Sequence, residues 1–258
     1  MSLKTYSVFY YGHDITDENQ FINFSEDGGL TQISAPIDIG SYTITTFVAK
    51  VLNAMNEYGG QEYSATLDRA TRKITITAPS NFDLLVTTGT QSEISAFALM
   101  GFTSDKSGSN AFESDVGSGF AYYPQYWLQS FVDFIDHIKS ASSKVNTSAS
   151  GVVEVVSYGQ NEFMECNIKY ITDITGQGVI KNNATGVADL RAFMNYAITK
   201  KPLEIMFDVD SPNVYESCIL EKTNVSGSGT GFKLFEMYAQ GLANYYETKN
   251  LMFRKIEG

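Results

Sequence analysis

Tyr42-Thr-Ile-Thr-Thr-Phe47-Val-Ala-Lys-Val51-Leu-Asn-Ala-Met55, followed by Tyr63-Ser-Ala-Thr-Leu67-Asp-Arg-Ala-Thr-Arg72-Lys-Ile74-Thr-Ile76-Thr, is the stretch that decides the fold. In its first part Phe47, Val48, Val51, Leu52 and Met55 recur at helical spacing, so one face of a short helix is apolar. Thr45 or Thr46 can cap its start, and Gly59-Gly60 ends it. In the second part the period changes to two. Tyr63, Ala65 and Leu67 alternate with polar residues, Asp68-Arg-Ala-Thr71 supplies a turn, and Ile74 and Ile76 return on one face. A helix packed on a β-hairpin is the expectation, and Leu99-Met-Gly101-Phe102 closes the unit. Gly101 there supplies a backbone angle that a β-carbon resists, and Phe102 packs on Phe47 and Val51.

Working outward, Tyr6, Val8 and Tyr10 read as a first strand, and Phe21–Phe24 as a second. Residues 103–121 are rich in Gly, Ser and Asp and read as a long loop or arm. Pro124 can open a helix over 124–139, with Trp127, Phe131, Phe134, Ile135 and Ile138 on one face. The Ser/Ala-rich run 140–150 reads as an interdomain linker. Beyond it, Val152-Val-Glu-Val-Val-Ser-Tyr-Gly159 and Phe163-Met-Glu-Cys-Asn-Ile-Lys-Tyr-Ile171 read as two strands about a turn. A helix over 186–199 buries Val187, Leu190, Phe193, Met194, Ala197 and Ile198, and Pro202 stops it. Strands then follow over 203–209, 215–222, 232–238 and 245–255. The fold class is therefore β-rich α+β. The expected domains are an N-terminal helix-plus-sheet module over 1–139 and a β-sandwich with one packed helix over 151–258.

A chain of 258 residues is long enough to bury a full core. Only 18% of it is charged while 13% is aromatic, with 16 Tyr and 17 Phe. That balance suits a β-rich protein that hides part of its surface in an assembly. The formal net charge is −11 and no basic run occurs, which argues against wrapping of nucleic acid. Cys166 and Cys218 are too few for a disulfide framework and read as buried thiols. The start, Met1-Ser-Leu-Lys-Thr-Tyr6, has no apolar segment of the signal-peptide kind, and no apolar run is long enough to span a bilayer. Synthesis in a cytoplasm and no membrane partner are the expectations.

Reactive chemistry is sparse. The histidines are His13, in a polar turn, and His137, beside Asp136; neither belongs to a zinc-ligand spacing. Either could serve a Ser-His-Asp triad, but no Gly-x-Ser-x-Gly turn presents a nucleophile. Gly227-Ser-Gly-Thr-Gly231 lacks the lysine and helix of a phosphate loop and reads as a hairpin connection. Asp208-Val-Asp210 and Asp105-Lys-Ser-Gly-Ser-Asn110 lack the spacing of a calcium loop. No catalytic residue, metal ligand or cofactor site is assigned, and the chain is not expected to be an enzyme. A paired-carboxylate glycoside hydrolase is the remaining enzymatic alternative.

The order from the helix and hairpin of 42–77 to Leu99–Phe102 resembles a module of virion proteins of tailed bacteriophages and some large viruses. The strands of 152–171, the helix of 186–199 and the closing strands are similar to the tail-tube fold of phage tail tube and distal tail proteins. The resemblance is topological and carries over no functional residue. It implies a virion protein of the distal tail or baseplate kind, assembling with itself into a closed ring around the DNA channel, a hexamer by the same resemblance, and contacting neighbouring tail proteins. DNA would pass without specific binding, along a wall to which Glu154, Glu162, Glu165, Asp173, Glu204, Asp208 and Asp210 contribute negative charge. The alternatives are the tail tube protein itself and a receptor- or glycan-binding module using the Tyr residues of 120–126.

Overall fold

The computed structural model describes residues 7–124, 131–151, 153–169, 171, 187–208, 211–225, 231–236 and 245–256. The chain is a strand-rich α+β protein with antiparallel sheets. It opens with β1 (Val8–Tyr11), then β2 (His13–Ile15), β3 (Phe21–Ser25), β4 (Ile33–Pro36) and β5 (Gly40–Tyr42). Helix α1 (Ile44–Tyr58) leads to β6 (Ser64–Asp68) and β7 (Lys73–Leu84), and a short α2 (Phe97–Met100) precedes β8 (Lys106–Glu113) and β9 (Ala121–Tyr122). The second half holds β10 (Phe131–Thr147), β11 (Val153–Lys169), β12 (Val187–Ala188), α3 (Leu190–Ala197), β13 (Leu203–Met206) and β14 (Tyr215–Lys222). The last strands are β15 (Phe235–Glu236), β16 (Tyr246–Glu247) and β17 (Leu251–Lys255).

The helix and hairpin of the first half form as their periodicity requires. Thr43, rather than Thr45 or Thr46, caps α1, its hydroxyl accepting from the Thr46 amide at 3.3 Å. The true cap lies just before the first turn because Ile44 already belongs to the buried face, with Phe47, Val48, Val51, Ala54 and Met55. Gly59 closes the helix by donating to Met55 O; a β-carbon there would stand 2.7 Å from that oxygen. Strands β6 and β7 pair Ala65 with Ile76 and Leu67 with Ile74, as the alternation dictates. The α1 face packs on a sheet of, among the described residues, five strands ordered β4-β3-β7-β6, with β8 added to β7. Gly101 has φ +86°, and a β-carbon would meet Val116 O at 2.1 Å. Its turn places Phe102, 1% exposed, in the same core as Phe47 and Val51.

Five expectations are corrected. Residues 103–121 are not a structureless arm, since Lys106–Glu113 is β8, an edge strand whose half-exposed Phe112 packs against the core. The described part of the expected helix 124–139 is β10. Phe131, Phe134, Ile135 and Ile138 fit a helical stripe, but the segment is also dense in aromatic and β-branched residues, and backbone pairing with β11 decides; Trp127 lies outside the described residues. The run 140–150 is not a linker: β10 continues to Thr147, and the chain reverses where the Gly151 amide donates to Ser148 O. Residues 153–169 are one strand rather than two about a turn, with register shifts near Gly159 absorbing the irregularity. The 186–199 helix is shorter than expected. Val187 belongs to β12, and the Asp189 carboxylate caps α3 by accepting from the Ala192 amide at 2.7 Å.

Among the described residues the large sheet has eight strands in the order β10-β11-β17-β14-β13-β1-β9-β12. Its interior strand β1 and its neighbour β9 come from the first half of the chain, so the proposed division at 140–150 does not separate the two layers. Everything from β2 to β8 is an excursion between β1 and β9. Helix α3 covers one face of the sheet, with Phe193 stacked on Tyr122 at 5.1 Å and against Phe9 at 4.8 Å.

Candidate functional site

Where the excursion returns to the large sheet, one carboxylate holds the two layers together. Glu204 sits in β13 within Leu203-Glu-Ile-Met206 and is fully buried. Burying an unpaired carboxylate is prohibitive, so partners must converge on it. Arg69, from the β6–β7 turn, donates Nη1 to Glu204 Oε2 at 2.7 Å and Nη2 to Thr45 Oγ1 at 2.7 Å. Thr45 donates its amide to Glu204 Oε1 at 2.9 Å and its hydroxyl to Oε2 at 3.1 Å. Glu204 therefore accepts from the first turn of α1, where free amides and the helix dipole favour negative charge.

The Arg69 guanidinium lies 4.0 Å from the Tyr215 ring centroid and 5.4 Å from that of Tyr10, a cation–π arrangement between aromatic faces. Tyr10, itself buried, donates its hydroxyl to Arg69 O at 2.8 Å, and burial pushes its phenol pKa up. The turn is thus fastened by its side chain and its backbone.

Beside this junction opens a cleft of about 510 Å³. Its floor is apolar, made by Val8, Tyr10, Leu67 and Met206. Arg69 and Tyr123 form its walls, and Asp68, Ala70 and Asn213 line its outer part, all exposed. Tyr123 accepts from Arg72 Nη1 at 3.1 Å. The Asp68 carboxylate accepts from the Thr71 hydroxyl at 2.7 Å and the Ala70 amide at 2.9 Å; the Thr71 bond leads in holding its pKa below the usual range.

The residues singled out from sequence do not assemble into a reaction centre. His13 is buried in β2 rather than in a polar turn, with its ring 4.5 Å from that of Phe47. Ser118 Oγ lies 3.0 Å from His13 Nε2, the spacing of a nucleophile and its base. Ser118 is fully buried, however, and donates its hydroxyl to Leu99 O at 2.7 Å, so it accepts from a protonated Nε2. The pair pins β2 to the α2 segment and offers no substrate access. Burial lowers the His13 pKa to about 4.

His137 falls in β10, paired through the backbone with Phe163. Cys166 and Cys218 are buried and are not joined in a disulfide. Asp105 is occupied by the hydroxyls and amide of Thr87 and Thr88, at 2.6–3.0 Å. Asp210, Asp173 and residues 226–230 of the glycine-rich loop lie outside the described residues. Among the described residues no group of three or more His, Cys, Asp or Glu side chains could hold a metal ion. Of the carboxylates expected on a channel wall, Glu162, Glu165 and Asp208 are half-buried, and Glu204 is corrected outright: it faces the junction and not solvent. Of the expected Tyr surface, Tyr122 is buried under α3, while Tyr123 does reach the cleft.

Neither Arg69 nor Glu204 was expected at an internal junction. One sign was available: a single carboxylate inside the apolar run Leu203-Glu-Ile-Met-Phe207 needs a partner if the strand is buried on both faces. Among the described residues no helix is long and apolar enough to cross a membrane. No protein-family model matches the chain, and no curated protein matches it.

Proposed function

We propose that this chain is a structural component of a phage tail, of the distal tail or baseplate kind, that assembles through its large sheet into a closed ring around the DNA channel. The observation that carries the reading is the β10–β11 hairpin. Both strands have 17 residues, roughly 55 Å of extended chain, yet β11 reaches β17 only over Phe163–Cys166. From Val153 to Glu162, the one strand paired with β11 among the described residues is β10. A two-stranded ribbon is marginal in water unless a further strand or layer joins it. The edge strand β10, whose one neighbour among the described residues is β11, is a template for such pairing.

A second copy supplies a strand edge at no cost in new sequence, and one heterologous contact repeated by rotation closes a ring. The net charge of −11 suits a conduit past which duplex DNA slides without being held. Electron micrographs of the purified protein test the reading: closed rings of uniform diameter are expected, with duplex DNA failing to co-sediment at low ionic strength. A protein that stays monomeric at high concentration, or rings that retain DNA, would overturn it.

A further inference from the structure

We propose that the cleft beside Arg69 is a docking site for a segment of a partner protein that presents an aromatic or long aliphatic side chain next to a lysine or arginine. The volume, about 510 Å³, is in the range of sites that bury a compact ligand. Its floor of Val8, Leu67 and Met206, with the Tyr10 ring, matches an apolar anchor.

Charge selects the flanking residue. Among the described residues the lining carries one cation, Arg69, and Glu204 already neutralises it at 2.7 Å. The lining also carries one anion, Asp68, exposed and held only by the neutral donors Thr71 and Ala70. An anionic ligand would meet Asp68 with no cation to answer it, whereas a basic residue beside the anchor would pair with it. The chain as a whole, at −11, adds attraction in the same sense. Tyr123 and the edge of Arg69 line the cleft beside this floor. The site is independent of ring formation, since none of its residues lies in the β10–β11 hairpin.

The experiment uses the full chain, ¹⁵N-labelled, with three probes: acetyl-Lys-Trp-Lys-amide, acetyl-Glu-Trp-Glu-amide and maltotriose. The Lys peptide is expected to shift amide resonances of Leu67–Ala70, Tyr123 and Met206 with a dissociation constant on the order of 1 mM. The Glu peptide is expected to bind at least about ten-fold more weakly, and the sugar not to shift these resonances. Asp68→Asn should weaken the Lys peptide about two- to five-fold. Ala70→Trp, at an exposed turn position, should fill the cleft and abolish binding with the rest of the spectrum unchanged. Equal binding of both peptides, binding that survives Ala70→Trp, shifts confined to other surfaces, or a response to maltotriose alone would each overturn the proposal.

Discussion

Arg69 and Glu204, 135 positions apart, meet at 2.7 Å in a side-chain pair that is 9% and 0% exposed. The first lies in the turn of a hairpin in the excursion, and the second in an interior strand of the large sheet. With Thr45 they close a ring of hydrogen bonds, so the orientation of α1 on the sheet is set by a few directional contacts as well as by area. Replacing such a pair with apolar residues can be neutral, whereas removing one member leaves a buried charge.

Arg69→Met should therefore lower stability by about 3–5 kcal/mol, because Glu204 stays buried with only Thr45 to hold it. The double variant Arg69→Met/Glu204→Leu should recover more than half of that loss. Denaturant unfolding of the two variants and the parent checks this. A double variant no better than the single would mean that packing of the guanidinium between Tyr10 and Tyr215 matters more than the charge.

Gly101 and Phe102 test the closing turn. A β-carbon at Gly101 would collide with Val116 O in a backbone conformation that L-residues resist. Gly101→Ala should cost at least about 1–3 kcal/mol. Phe102→Ala removes a buried ring that packs edge-on against Phe97 at 6.0 Å, and should cost about 3–5 kcal/mol. Thermal melts of both proteins are the measurement; an unchanged midpoint for Phe102→Ala would place that ring outside the core.

What could be read from sequence was whatever local period controls. Alternation in Tyr63–Leu67 and the 3.6 spacing of α1 are set by neighbours a few residues away, and both elements formed where expected. Residues 131–137 fit a helical stripe yet are rich in aromatic and β-branched residues, and only the long-range pairing with Phe163–Lys169 chose the strand. A serine-rich stretch such as 140–147 has little local preference and takes the conformation its partner strand imposes. The junction was hidden for a related reason. Arg69 looks like any turn residue, and Glu204 like any charged one, until topology brings β13 beneath α1.

His13 makes a pH prediction with a definite sign. Burial lowers its folded-state pKa from 6.5 to about 4, so the unfolded chain binds the proton more readily. Its contribution is fully present above pH 6.5 and is lost as pH falls from there through 4, amounting to about 3 kcal/mol. Unfolding free energies measured from pH 7 to pH 4 should decline more steeply for the parent than for His13→Gln. Parallel curves would mean that the ring acquires its proton without leaving its place beside Ser118.

The hairpin decides whether fold and assembly are separable. Ser143 and Ser157 face each other across β10 and β11. Replacing residues 144–156 by Asn-Gly joins them with a two-residue turn of the type that antiparallel strands favour. The contacts of β11 with β17 begin at Phe163, so the pairing that joins the hairpin to the rest of the large sheet is left in place. The shortened protein should melt within a few degrees of the parent and keep its circular dichroism, since the pairing of β11 with β17 is retained. If the ribbon is what neighbouring copies share, the same protein should sediment as a monomer at concentrations where the parent forms rings. Loss of the monomer's own stability would show instead that the distal hairpin folds back on its own chain, and rings that persist would move the contact to another edge of the sheet.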